Sequence, residues 1–263
     1  MKTVSRTSLA TLALALAIPS FAADTNSTNT TVSPAERAKI ESVVHDYLLK
    51  KPEILVEALQ ILQQKQYEQA EQTVKQTQAM TGKYVNALFH EPNDPTAGNP
   101  NGNITIVEFF DYQCPHCIDM VPVMHDIIKA NPNVRVVYKE FPIRGPLSEV
   151  AARAALAANM QGKYNDFSRA LLTANKPLTE DLIYQIAQQS GIDVAKLKKE
   201  MNSASVDDQL KKTMKLAQDL KLFGTPAFFI GSTQANAKST IIYVPGQMNQ
   251  KQLQSEINKI KQS

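Results

Sequence analysis

A chain of 263 residues with 43% hydrophobic residues is long enough for one large core or two modest ones. Residues 1–22 contribute Lys2 and Arg6 but no acid, so without them the 28 basic residues fall to 26 against 25 acidic ones. That near-neutral balance, with no Lys/Arg stripe interleaved with aromatics, excludes a nucleic-acid partner.

Taken in chain order, the first element is a leader. Lys2 and Arg6 precede the apolar run LATLALALAI, and PSFAAD follows with small residues at Ser20 and Ala22. Basic region, short apolar core and small-x-small site are the order of a secretory signal cleaved after Ala22. The run is far short of the roughly 20 residues that span a bilayer. A polar lead over 23–33 follows. Ser33, Pro34 and Glu36 then form a helix start, with Ser33 as N-cap and Glu36 as its capping-box partner. Ile40, Val43, Val44, Tyr47 and Leu48 recur at helical spacing. Pro52 breaks that helix and begins another, with Ile54, Leu55, Ala58, Leu59 and Leu62 on one face. Residues 34–62 thus predict a helical arm. Residues 63–100 predict a polar helical spacer, QQKQYEQAEQTVKQTQ, and a Pro/Gly/Asn-rich loop over 91–102. Two short amphipathic helices cannot bury their own faces, and the spacer holds them off the following domain, so the arm is expected to pair with a second copy as a homodimer.

Residues 101–263 predict one α/β domain: strand ITIVEFF, a helix from Pro115 to about Ala130, strand VRVVYKEF, a helical stretch over about 147–222, strands AFFI and TIIYV, and a last helix over about 249–261. The only thiols, Cys114 and Cys117, flank Pro115 and His116 between the first strand and its helix. Pro115 suits the first helical position, which makes Cys114 the N-cap, where orphan amides and the positive helix end favour a thiolate. His116 can add a hydrogen bond or a positive charge. Stabilising the thiolate makes the disulfide form the stronger oxidant. A bridge closing so small a loop removes little chain entropy, which argues against a staple. Zinc lacks a second ligand pair, and c-type haem needs His where Ile118 stands. His45, His90 and His125 read as structural.

VEFFDYQCPHC, followed much later by FGTPAFFIG, resembles the DsbA family of thioredoxin-fold disulfide oxidoreductases over roughly Asn101 to Lys261. The resemblance implies a thioredoxin fold with a helical insertion, a cis Thr225–Pro226 bond, and a Thr225–Pro226 loop lying against the redox pair and pairing with an extended substrate segment. It implies Cys114 as the exposed attacking thiolate and Cys117 as the resolving thiol. The family's buried acid falls on Glu108 and its lysine on Lys139, as a proton relay to Cys117 or else as a satisfied core pair, with Asp111 as the substitute acid. The N-terminal arm is similar to dimeric, N-terminally extended members, and Thr225 resembles the DsbC and DsbG isomerases, whereas CPHC is associated with the oxidising members. Implied with it are exported protein substrates bearing cysteines, a DsbB-like or DsbD-like membrane redox partner, a periplasmic location with outer-membrane or surface association left open, and no cofactor or metal. Rival readings are a holdase or surface component on the same scaffold, with incidental thiols, and a thiol-based copper-binding protein.

Overall fold

The structure, a computed structural model, describes residues 32–262. The expected leader over 1–22 and nearly all of the lead over 23–33 lie outside the described residues. The described residues divide into two compact units, 32–60 and 61–262.

In the first unit, helix α1 spans Pro34–Lys50. Its capping box is closed: the Glu36 backbone N–H donates to Ser33 Oγ at 3.3 Å, and the Ser33 N–H donates to Glu36 Oε2 at 3.0 Å. Pro52 cannot continue the helix, and α2 begins at Glu53 and runs to Met80. Among the described residues most apolar side chains of the arm stay exposed: Val43 is 69% exposed, Leu49 70% and Leu59 59%. The expected arm boundary at 62 lies close to the division between the units, but inside a helix that continues without a break.

The second unit begins with the rest of α2, whose end is a structural part of the domain rather than a solvated spacer. Thr77 is buried and donates to the Leu220 carbonyl at 2.7 Å. Gln78 bonds both ways to the backbone of a sheet edge, donating to the Ile241 carbonyl and accepting from the Tyr243 N–H. After a 3-10 turn over Thr81–Tyr84 come α3 (Val85–Phe89), β1 (Thr96–Gly98), β2 (Ile104–Phe110), α4 (Pro115–Ala130) and β3 (Val134–Glu140). The helical insertion is α5 (Pro146–Met160), α6 (Tyr164–Leu172), α7 (Glu180–Gln189), α8 (Val194–Glu200) and α9 (Ala204–Asp219). The chain closes with β4 (Ala227–Ser232), β5 (Ile241–Pro245) and α10 (Gln250–Lys261).

The strands form one sheet in the order β1-β3-β2-β4-β5, with β2 and β3 parallel and the other pairs antiparallel. This is the thioredoxin arrangement with a helical insertion. Every residue of β2 is buried, as expected of a central strand covered on both faces. Ile104, Ile106, Val134, Val136, Phe228 and Ile230 pack with α4 and α10. Val107, Phe109, Val137, Ala227 and Phe229 pack with α3 and the end of α9.

Strand β1 lies where the sequence predicts a loop. Three residues between Pro95 and Pro100 offer no alternation to read. They pair with β3 because Gly98, at φ +73°, takes a conformation that disfavours a side chain, and because the Val134 carbonyl comes within 2.5 Å of where a Cβ would stand. Gly98→Ala is therefore expected to lower stability by about 1–3 kcal/mol, read as a lower urea midpoint with an unchanged slope.

Candidate active site

Strand β2 delivers the chain to the redox pair. Cys114 is the N-cap of α4, Pro115 is its first residue, and the Cys117 and Ile118 N–H groups donate to the Cys114 carbonyl at 3.0 and 3.1 Å. Across from it, the Thr225–Pro226 bond is cis. The Cys114 thiol donates to the Thr225 carbonyl at 3.2 Å. The Pro226 carbonyl accepts from the Gly246 N–H at 2.8 Å, which ties this loop to the end of β5. Both cysteines are free thiols. Cys114 is 0% exposed and Cys117 1%. The expected exposure of Cys114 is therefore corrected: the Thr225 carbonyl lies over its sulfur. The Thr225 hydroxyl is buried and without a hydrogen-bond partner of standard geometry.

The two thiols differ in their hold on a proton. Burial opposes a Cys114 thiolate, but the polar groups of Thr225 and Cys117 and the positive charge of Arg144 outweigh it, so the Cys114 pKa lies below the ordinary thiol value. The Cys114 side chain makes no cap hydrogen bond of standard geometry to α4. Burial pushes the Cys117 thiol well above its ordinary value, and the nearby Glu108 and Cys114 push it further. His116 is exposed, and its Nδ1 lies 2.8 Å from Gln247 Oε1 in the turn after β5.

Glu108 and Lys139 do not meet. In the parallel ladder Glu108 stands opposite Tyr138, and Lys139 opposite Phe109. Side chains alternate faces along a strand, so the two project to opposite sides of the sheet. Lys139 pairs with the Asp94 carboxylate and donates to the Ala87 carbonyl at 2.6 Å. This corrects both the paired-core expectation and the place of Lys139 in a relay. Glu108 instead lines a cavity of about 120 Å³ with Cys117, Tyr138, Tyr164 and Ser168, between α4 and α6. Burial pushes its pKa up to about 8. Asp111 does not face the pair as a free acid: its carboxylate accepts from the Gln113, Ile143 and Arg144 N–H groups and from Ser148 Oγ, at 2.7–2.9 Å.

Sequence reasoning passed over Gln247, Arg144 and Glu140. Glu140 is buried at the end of β3 and accepts from the Tyr112 and Tyr164 hydroxyls at 2.9 and 2.7 Å. Burial pushes its pKa up to about 8 as well. An acid beside Lys139 in VVYKEF reads as one of a charged pair at a strand end; only the register reveals its two tyrosine donors.

The DSBA-like thioredoxin domain matches residues 105–258, and the Copper resistance protein ScsC N-terminal domain matches residues 36–69. The Thiol:disulfide interchange protein DsbA of Bordetella parapertussis is 32% identical over 155 residues, which cover 57% of this chain and 71% of that protein. Two crystal structures are similar as well. A thioredoxin-like oxidoreductase from Silicibacter pomeroyi is 40% identical with a TM-score of 0.62, covering 68% of this chain and 98% of that one. BcfH of Salmonella enterica Typhimurium is 34% identical with a TM-score of 0.63, covering 86% and 96%, and so extends over part of the arm.

The buried acid gives a pH signature. Folded Glu108 keeps its proton up to about pH 8, whereas the unfolded chain loses it near the ordinary value of 4.5. Between those limits the folded state binds more protons, so this contribution to stability is full below pH 4.5 and declines as pH rises to about 8. Glu108→Gln removes the decline. Its stability gain in urea unfolding should be larger at pH 8 than at pH 5, by on the order of 2–4 kcal/mol.

Proposed function

The chain belongs to the DSBA-like thioredoxin-domain family and is a disulfide oxidoreductase, and we propose that it is an exported, periplasmic enzyme that introduces or isomerises disulfides in exported proteins through Cys114 and Cys117. The observation that carries this reading is the asymmetry of the pair. One thiol is poised to ionise at a helix N-cap, and the other is held protonated beneath it. A nucleophile and a resolving group need that difference. Among the described residues no helix is long and apolar enough to cross a membrane.

In oxidation, a client thiolate attacks Cys114 Sγ of the oxidised pair. The Cys114–Cys117 bond breaks, and Cys117 leaves with the electron pair and takes a proton, which Glu108 is placed to donate through their shared cavity. A second client thiolate then attacks the client sulfur of the mixed disulfide and expels Cys114 as a thiolate. Two client thiols become one disulfide, and the pair gains two electrons, which a membrane redox partner removes. In isomerisation the reduced Cys114 thiolate attacks a client disulfide, and a different client thiolate later displaces it with no net transfer of electrons. The Thr225 carbonyl, which accepts from the resting Cys114 thiol, is released on ionisation to accept from a client backbone N–H. His116 is exposed at the mouth, where its ring bonds to Gln247 rather than to either sulfur.

The arm makes the enzyme a homodimer in this reading. Ile40, Val43, Val44, Tyr47, Leu55 and Leu59 are all about half exposed or more, a density of apolar surface that a second copy would cover. Two active sites around one client favour isomerisation.

Cys114→Ser is expected to abolish exchange with a client peptide, and retained turnover in that variant would contradict the mechanism. Reactivation of a scrambled-disulfide protein tests the arm. Val43→Glu with Leu59→Glu alters only exposed positions, so it should leave the fold intact, reduce the solution mass from two chains to one and remove reactivation while oxidation of a peptide dithiol persists. A wild-type enzyme that sediments as one chain, or a monomeric variant that still reactivates, would overturn the role of the arm.

A further inference from the structure

Asp111 is 1% exposed, and its four hydrogen bonds reach three separate segments. Oδ1 accepts from the Gln113 N–H, next to Cys114, and from Ser148 Oγ in the first turn of α5, both at 2.7 Å. Oδ2 accepts from the Ile143 and Arg144 N–H groups at 2.8 and 2.9 Å. Gln113 adds a second strap, its Nε2 donating to Ser148 Oγ at 2.8 Å and to the Arg144 carbonyl at 3.4 Å. Gly145, at φ +115°, turns the chain immediately after Arg144. The loop that carries Arg144 is therefore registered against the loop that carries the nucleophile.

The Arg144 side chain is exposed, and no carboxylate among the described residues forms an ion pair with it. The Asp111 and Gln113 bonds to its backbone hold it next to the Cys114 loop, where its charge favours the thiolate as a lesser contribution beside the polar groups of Thr225 and Cys117. The other ionisable side chains near the pair are Cys117, Glu108 beside Cys117, Asp111 bonded to the Gln113 N–H, and His116 on α4. A thiol or a carboxyl can bring only negative charge to that sulfur. An arginine stays positive throughout.

We infer that Arg144 belongs to the redox machinery: Asp111 is a positioning residue that fixes the loop carrying Arg144, and the guanidinium is the permanent positive charge beside Cys114. The inference rests on Cys114 as the nucleophile, yet its test reads the ionisation of the sulfur rather than client turnover, so the two can fail separately.

The experiment is thiolate absorbance against pH in the reduced full chain, at about 0.01 M and about 1 M salt, where the screening length falls from about 30 Å to about 3 Å. At low salt Arg144→Ala is expected to carry about threefold less Cys114 thiolate at any pH below the titration midpoint, equivalent to roughly half a pH unit. Arg144→Lys should restore most of it, and at high salt wild type and Arg144→Ala should converge. Asp111→Asn also removes a negative charge, which by itself favours the thiolate, so a loss of thiolate in this variant that vanishes in an Arg144→Ala background would come from displacement of the loop. If Asp111→Asn does not fold, the exposed Arg144 variants decide the matter alone. Equal titration of Arg144→Ala and wild type at low salt would overturn the inference. So would a difference that persists undiminished at high salt, because it would come from loop shape and not from charge.

Discussion

The hydrogen bond from the Cys114 thiol to the Thr225 carbonyl joins two points 111 residues apart in sequence. It exists because β2 and β4 are neighbours in the sheet, with Phe109 opposite Ala227 at the end of the ladder. A slip of that register would carry the cis-Pro loop away from the start of α4, and burial of both sulfurs would go with it. The helical insertion lies between the two strands in sequence and packs around the pair, with Cys114 and Cys117 in the same buried cluster as α5 and α6. The site is thus a property of the closed sheet, although each of its motifs is local.

Around those sulfurs the structure holds acids where water is scarce. Glu108 and Glu140 project on one face of neighbouring strands, with Glu108 opposite Tyr138 and Phe110 opposite Glu140. Ionising either carboxyl in place is opposed by desolvation, so each retains its proton to about pH 8. Asp111 is a contrast: although buried, it accepts four donors, two of them at each oxygen. Neighbouring carboxyls can therefore serve as a proton holder and as a brace, according to the donors each one finds.

Local chemistry made much of the molecule legible in advance. Ser33 and Glu36 announced the capping box, Pro52 the break between the first two helices, and Pro115 the helix that begins at the redox pair. Those signals act within a few residues of themselves. Lys139 was misplaced for the opposite reason: the face on which a strand residue projects depends on register with a partner strand, and one residue of difference reverses it. Arg144 and Gln247 approach the pair from other segments, across loops whose course no periodicity describes. Strand β1 was missed because three residues held by a glycine and two prolines carry no strand-like composition.

Both borders of the sheet are closed. On one side β5 spends its outward Ile241 carbonyl and Tyr243 N–H on the side chain of Gln78. On the other, β1 ends after three residues at a glycine turn. Unpaired strand borders recruit extended chains of any sequence, and an enzyme that handles unfolded clients would be exposed to that hazard continually. By occupying one border with a glutamine and truncating the other, the fold leaves little strand border on which an extended chain could add.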